Sequence, residues 1–188
     1  MTPTRFVPIL LAALLLGGCA TQVPKDTASP YYQVPVGSVL KIHRMIEVPS
    51  VSTRLFFQNG KVSAGFNLYA PNCNIEVFKR DNHAVQYVKS GEYLISRVQK
   101  TQEEVVQARR LQVAARTLTM VALSGGGDGN ASIYEGYHLW LEGPDPNVMR
   151  LSCRGVYAAP SEAYPPSIDE MRQALGEIMA LELAQDGP

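Results

Sequence analysis

The sequence predicts a mainly β (α+β) fold, an antiparallel sandwich or partly open barrel with one amphipathic helix near the C-terminus. Three observations carry that expectation. Apolar and polar residues alternate in short runs between residues 39 and 157, as they do in strands with one buried face. Turn dipeptides such as Asn59-Gly60, Asp81-Asn82 and Ser90-Gly91 fall between the runs. One stretch of helical period follows Pro165-Pro166.

Residues 39–47 form the first candidate strand and 53–58 the second. Asn59-Gly60 then signals a hairpin, because both residue types accept the positive φ of a type I′ turn. Val62, Ala64, Phe66 and Leu68 alternate with Ser63, Gly65, Asn67 and Tyr69, which predicts a strand over 62–69. Cys73, Ile75 and Val77 predict another, and residues 85–88 and 93–98 two more. Residues 103–117 read both ways: their Glu, Gln, Arg and Ala content favours helix, whereas Val106 and Val113 suit extended chain. Strands over 117–123, 133–142 and 148–157 complete the set, with a glycine-rich connection over 124–130 and a turn at Gly143-Pro144-Asp145-Pro146-Asn147. Ser167 is a natural N-cap, and Glu170 completes a capping box. Ile168, Met171, Leu175, Ile178 and Leu181 keep the helical period, so the helix is expected over about 167–184 with its apolar stripe on the sheet.

The N-terminus carries a different signal. Arg5 precedes an apolar run over 6–16, which ends in Leu16-Gly17-Gly18-Cys19. Eleven residues at ~1.5 Å each make about 16 Å of helix, roughly half of a ~30 Å bilayer core. That length fits the apolar core of a signal peptide better than a membrane span. The arrangement resembles a bacterial lipoprotein signal peptide with its lipobox. Gly17 departs from the Ala, Ser or Thr more usual there but is equally small. The resemblance implies removal of residues 1–18, a diacylglycerol on the Cys19 sulfur and an acylated new N-terminus. A single acyl chain binds only marginally at ~0.8 kcal/mol per methylene, whereas two or three anchor durably. Ala20 in place of an aspartate implies export to the outer membrane, facing the periplasm. Residues 19–36 then read as a lipidated tether interrupted by Pro24, Pro30 and Pro35, with Tyr31 and Tyr32 marking where it docks. Residues 37–188 read as a single β-rich periplasmic domain.

Loss of residues 1–18 leaves 170 residues, enough for one domain with its own core. The full chain has 17 basic and 17 acidic residues, and removing Arg5 leaves 16 against 17. With no basic surplus for phosphates, a nucleic-acid role is disfavoured. Cys73 and Cys153 remain besides Cys19. In an oxidising, exported location such a pair points to a disulfide; two buried free thiols and half of a metal site are the alternatives. Closing a loop of 80 residues is worth about 4.5 kcal/mol in the chain-entropy model.

Few residues suggest chemistry. Gly125-Gly126-Gly127-Asp128-Gly129 lacks the Lys-Ser/Thr and following helix of a phosphate loop and the oxygen ligands of a calcium loop, and reads as a hairpin tip. His43, His83 and His138 lie 40 and 55 residues apart, unlike zinc motifs, so no metal and no cofactor are expected. No serine lies in a Gly-x-Ser-x-Gly elbow, and no catalytic residue is expected. Tyr134, His138 and Trp140 share one face of a strand, opposite Ile133, Tyr137, Leu139 and Leu141. With Arg154 they make a candidate binding surface; the plainer reading is a central strand covered on both sides.

The Tyr31-Tyr32 start, Asn72-Cys73, Leu151-Ser152-Cys153 and Leu175-Gly176 are similar to uncharacterised proteobacterial lipoproteins, a resemblance that brings no activity with it. The expected function is a lipid-anchored, non-catalytic cell-envelope accessory that binds a protein partner. The alternative is a small-ligand or lipid binder using a barrel interior, and an envelope hydrolase stands third.

Overall fold

The computed structural model describes residues 26–63, 65–78, 85–104 and 132–184. Cys19 and its lipobox, His83, the glycine-rich connection, the 117–123 strand and all of 103–117 beyond Glu104 lie outside the described residues.

The expected β-rich architecture is present. Strands β1 (Val39–Ile42), β2 (Ile46–Val48), β3 (Arg54–Gln58), β4 (Lys61–Ser63), β5 (Asn72–Val77), β6 (Gln86–Val88), β7 (Gly91–Glu104), β8 (Ile133–Glu142), β9 (Val148–Arg154) and β10 (Met179–Glu182) accompany one described helix, α1 (Ile168–Leu175). Eight strands form one curled antiparallel sheet, a half-barrel, in the order β10-β1-β7-β8-β9-β5-β3-β4, while β2 and β6 form a small separate ribbon. Ser167 and Glu170 make the reciprocal capping box expected of them. Ile168, Met171, Ala174 and Leu175 of α1 are buried, and the helix contacts β3, β5 and β10. It therefore bridges the two ends of the curled sheet. Phe57, Tyr93, Ile95, Tyr137, Leu139 and Leu151 fill the concave side with it.

Several boundaries differ from expectation. The helix stops at Leu175 instead of running to about 184, because Gly176 takes φ +58°, a conformation that ends helices and that L side chains resist. Gly176 packs on Gly60 so closely that a Cβ would overlap the Gly60 Cα, and the Gly60 N–H donates to the Ala174 carbonyl at 3.0 Å. The Asn59-Gly60 turn has positive φ at both residues, as the dipeptide predicts. Past Gly176, Met179 and Leu181 are buried in alternation with Ala180 and Glu182, so a strand takes over where a helical period also fits. Residues 39–47 split into β1 and β2, the expected 62–69 strand ends at Ser63, and β7 extends the 93–98 strand to Glu104.

The stretch read as a tether is held on the domain from Thr27 onward. The Asp169 N–H donates to the Thr27 carbonyl at 3.4 Å, the Tyr137 hydroxyl lies 3.5 Å from the carbonyls of Pro30 and Tyr32, and Val34 is buried in the core. Tyr32 packs against that core, as a docking point should, whereas Tyr31 is exposed. Cys73 and Cys153 face each other across β5 and β9, with their Sγ atoms at the 2.03 Å of a disulfide.

Candidate binding face on the outer side of the sheet

Successive side chains of a strand point to opposite faces, so each central strand that feeds the core also builds the outer face. β8 sends Tyr137, Leu139 and Leu141 inward and turns Tyr134, Gly136, His138 and Trp140 outward. An irregularity between Ile95 and Arg97 in β7 changes its phase. Tyr93 and Ile95 before it are in the core, while Arg97, Gln99 and Glu103 after it share the outer face with β8. Register then aligns two rows across the sheet: Arg97, Trp140, Arg150, Glu76 and Arg54 in one, and Gln99, His138, Ser152, Asn74 and Phe56 in the other.

In the first row the guanidinium carbons of Arg97 and Arg150 lie 4.2 and 5.2 Å from the centroid of the Trp140 ring, one from each flanking strand. Glu76 accepts from Arg150 Nε at 2.7 Å and lies 3.5 Å from Arg54. Burial pushes the Glu76 carboxyl up, but the two guanidinium groups outweigh it and hold the group below its ordinary value. In the second row His138 Nδ1 is 2.8 Å from the Ser152 hydroxyl. Burial first, and then the Arg150 charge, lower the His138 pKa and favour neutral imidazole.

Arg154 reaches across β8 to Glu103, where one terminal nitrogen meets both carboxylate oxygens at 3.0 and 2.7 Å. Its cross-strand partner on β8 is Gly136, whose missing side chain leaves the crossing open; a Cβ there would also overlap the Cys153 carbonyl. Tyr134 is buried at the same end, and its hydroxyl is pushed up to about 12 by that burial. Among the described residues six buried side-chain atoms have no hydrogen-bond partner, and five of them are on this face: Asn72 Oδ1, Asn74 Oδ1, Tyr134 Oη, Trp140 Nε1 and Arg154 Nε.

The structure thus brings together all four residues of the expected surface, Tyr134, His138, Trp140 and Arg154. Sequence reasoning missed Arg97, Arg150, Glu76 and Ser152. Their alternation along each strand was visible, but their meeting depends on register between strands far apart in sequence. Tyr134 and Arg154 are more deeply buried than a contact surface requires.

Other candidates resolve differently. His43 Nδ1 is 2.9 Å from the Glu177 carbonyl, away from His138. No group of three metal-ligating side chains occurs among the described residues. Ser152 and His138 have the spacing of a nucleophile and base. Yet Ser152 is only 2% exposed, no carboxylate bonds the imidazole among the described residues, and β9 is paired on both sides, which commits its own amides to the ladder and not to an oxyanion. A surface cleft of about 400 Å³ lies beside Pro49, Val51, Leu55 and Val62, and one of about 470 Å³ lies where Val34 and Val36 dock near Tyr137. The first touches the rows described above only at Arg54, and the second lies away from them.

No protein-family model matches the chain, nor does any curated protein or solved structure.

Proposed function

We propose that this chain is a lipid-anchored, non-catalytic accessory of a bacterial envelope, held in the outer membrane through Cys19, facing the periplasm and working as a protein-binding module. The observation that carries the reading is the outer sheet face, where the exposed Arg97 and the half-buried Arg150 flank Trp140, a combination of residue types enriched at protein interfaces. The lipobox at Leu16-Gly17-Gly18-Cys19 supports the anchor. Docking from Thr27 onward supports a domain held near its membrane: seven residues lie between Cys19 and Thr27, and the eight steps from one to the other reach at most about 29 Å.

Two measurements test the reading. Cys19→Ser is expected to abolish incorporation of labelled fatty acid and to move the protein from the membrane to the soluble fraction; unchanged labelling and fractionation would remove the anchor. Crosslinking in intact envelopes is expected to capture a reproducible partner, and repeated capture of none would count against the module.

A further inference from the structure

We propose that the side of the domain on which residues 27–36 dock rests on a zwitterionic phospholipid surface through Tyr31 and Val36, so that the Trp140 face looks away from the membrane. The inference deepens the anchor reading and rests on it. Chain length is the first argument. Only seven residues lie between Cys19 and Thr27, so Thr27 stays within about 29 Å of the lipidated residue. The stretch that follows Thr27 lies on the core side of β7 and β8. Val34 is in the core, and the carbonyls of Pro30 and Tyr32 lie beside the Tyr137 hydroxyl. Val98 packs against the same core, and Lys100 is the cross-strand neighbour of Tyr137. Strand alternation turns Tyr137 and Trp140 to opposite sides of the sheet. A membrane on the docked side therefore leaves the Trp140 face open to the periplasm.

Exposure is the second argument. Tyr31 and Val36 are 65% and 61% exposed, and they are the exposed large apolar residues of the docked stretch. Tyrosine, with an apolar ring and a polar tip, suits the headgroup level. Exposed apolar side chains occur elsewhere too, Val51 at 93% above all, but Val51 is not on the stretch that leads to Cys19. Two such side chains are too few for a free protein partner, whose interface must clear about 1,000 Å². They can suffice for a surface to which the chain is already tied, because the tether makes the second contact intramolecular. Charge does not draw this side to an anionic surface. Lys100 shares it with Glu104 and Glu135, which alternation places there, and Asp26 and Asp169 stand beside Thr27. The contact is apolar, and a zwitterionic surface fits it better than an anionic one.

The full-length lipidated protein, with an environment-sensitive fluorophore on Val36→Cys or on Val51→Cys, is placed in vesicles of phosphatidylethanolamine and phosphatidylcholine, with and without brominated acyl chains. Both positions are exposed, so neither label disturbs the core. The label at 36 should lose most of its emission to the brominated lipid, and the label at 51 should keep it. Trp140, the chain's single tryptophan, should also keep its emission in the unlabelled parent. Adding phosphatidylglycerol should not deepen the loss at 36. Equal quenching at 36 and 51, no quenching at 36, or quenching of Trp140 overturns the proposal. So does a loss at 36 that requires phosphatidylglycerol and disappears in salt. A blue shift at 36 in detergent that grows with protein concentration would assign the patch to a second copy and overturn it too. Fatty-acid labelling of Cys19 is read on the same preparation. If Cys19 carries lipid and the label at 36 stays bright, this face is wrong and the anchor stands; if Cys19 carries none, both fall.

Discussion

Two ion-pair triads stand on the outer side of this sheet with opposite composition. Near one edge Lys41 lies between Glu92 and Glu182, at 3.2 and 3.0 Å. Toward the other, Glu76 lies between Arg54 and Arg150, at 3.5 and 2.7 Å. The first sums to one negative charge and the second to one positive. Their surroundings differ as much as their signs. The Glu92 and Glu182 side chains are 68% and 53% exposed, whereas Glu76 and Arg150 are 17% and 19% exposed. Water and salt screen the first triad, as they do most surface pairs. The second sits where an unmatched charge is costly. The same pairing chemistry therefore decorates one end of the sheet and shapes a site at the other.

The largest expected effect comes from what lies behind the Glu76 triad. Cys73 and Cys153 join β5 and β9 on the core face, directly beneath the strands that carry Glu76 and Arg150. Replacing both by serine should destabilise the domain by about 4 kcal/mol, since an 80-residue loop is released in the unfolded chain. Urea unfolding measures this. Trp140 emission tracks the outer face at the same time and should shift with the variant. An unfolding midpoint equal to the parent's would mean that the clamp contributes nothing to this half of the sheet. Gel mobility of the parent should change on reduction, and the change should be absent in Cys73→Ser.

Glu76→Gln sharpens the comparison at the next level. It leaves Arg150, whose side chain is 19% exposed, without its carboxylate and beside the more exposed Arg54, and should cost about 2 kcal/mol. The pH dependence follows from the same contacts. The carboxyl titrates below its ordinary 4.5 in the folded protein because the two arginines outweigh the burial that raises it. Its stabilising contribution is thus complete above about pH 4.5 and disappears as the pH falls through the folded pKa. The parent should lose stability over that acid range more steeply than Glu76→Gln. Matching acid-unfolding curves for the two would show that the triad has no electrostatic weight.

The fold was legible because period-two alternation, the Asn59-Gly60 turn and the Ser167/Glu170 box are local signals that the tertiary structure leaves in force. What misled was also local. Leu181 fits both a helical period with Ile178 and a strand alternation with Met179, and the positive φ at Gly176 decides between them. The site was half legible. Parity put Tyr134, His138 and Trp140 on one face, but the partners that give them meaning come from β7 and β9. Arg97 reaches that face only because the irregularity after Ile95 shifts β7 by one residue, which period-two reading cannot foresee. Arg154 finds Glu103 by crossing a strand at Gly136, and nothing along the chain marks that path.

The smallest effect expected belongs to the first triad, and it decides what the second one means. Lys41→Gln leaves Glu92 and Glu182 near each other, but both reach water and can turn apart. The midpoint of urea unfolding should stay at the parent's value in physiological salt. If it does, and Glu76→Gln is clearly destabilised, burial and not the presence of paired charges sets the weight of each triad. Equal losses for the two variants would reverse that conclusion. The Glu76 triad would then weigh no more than an ordinary surface pair, whatever its burial.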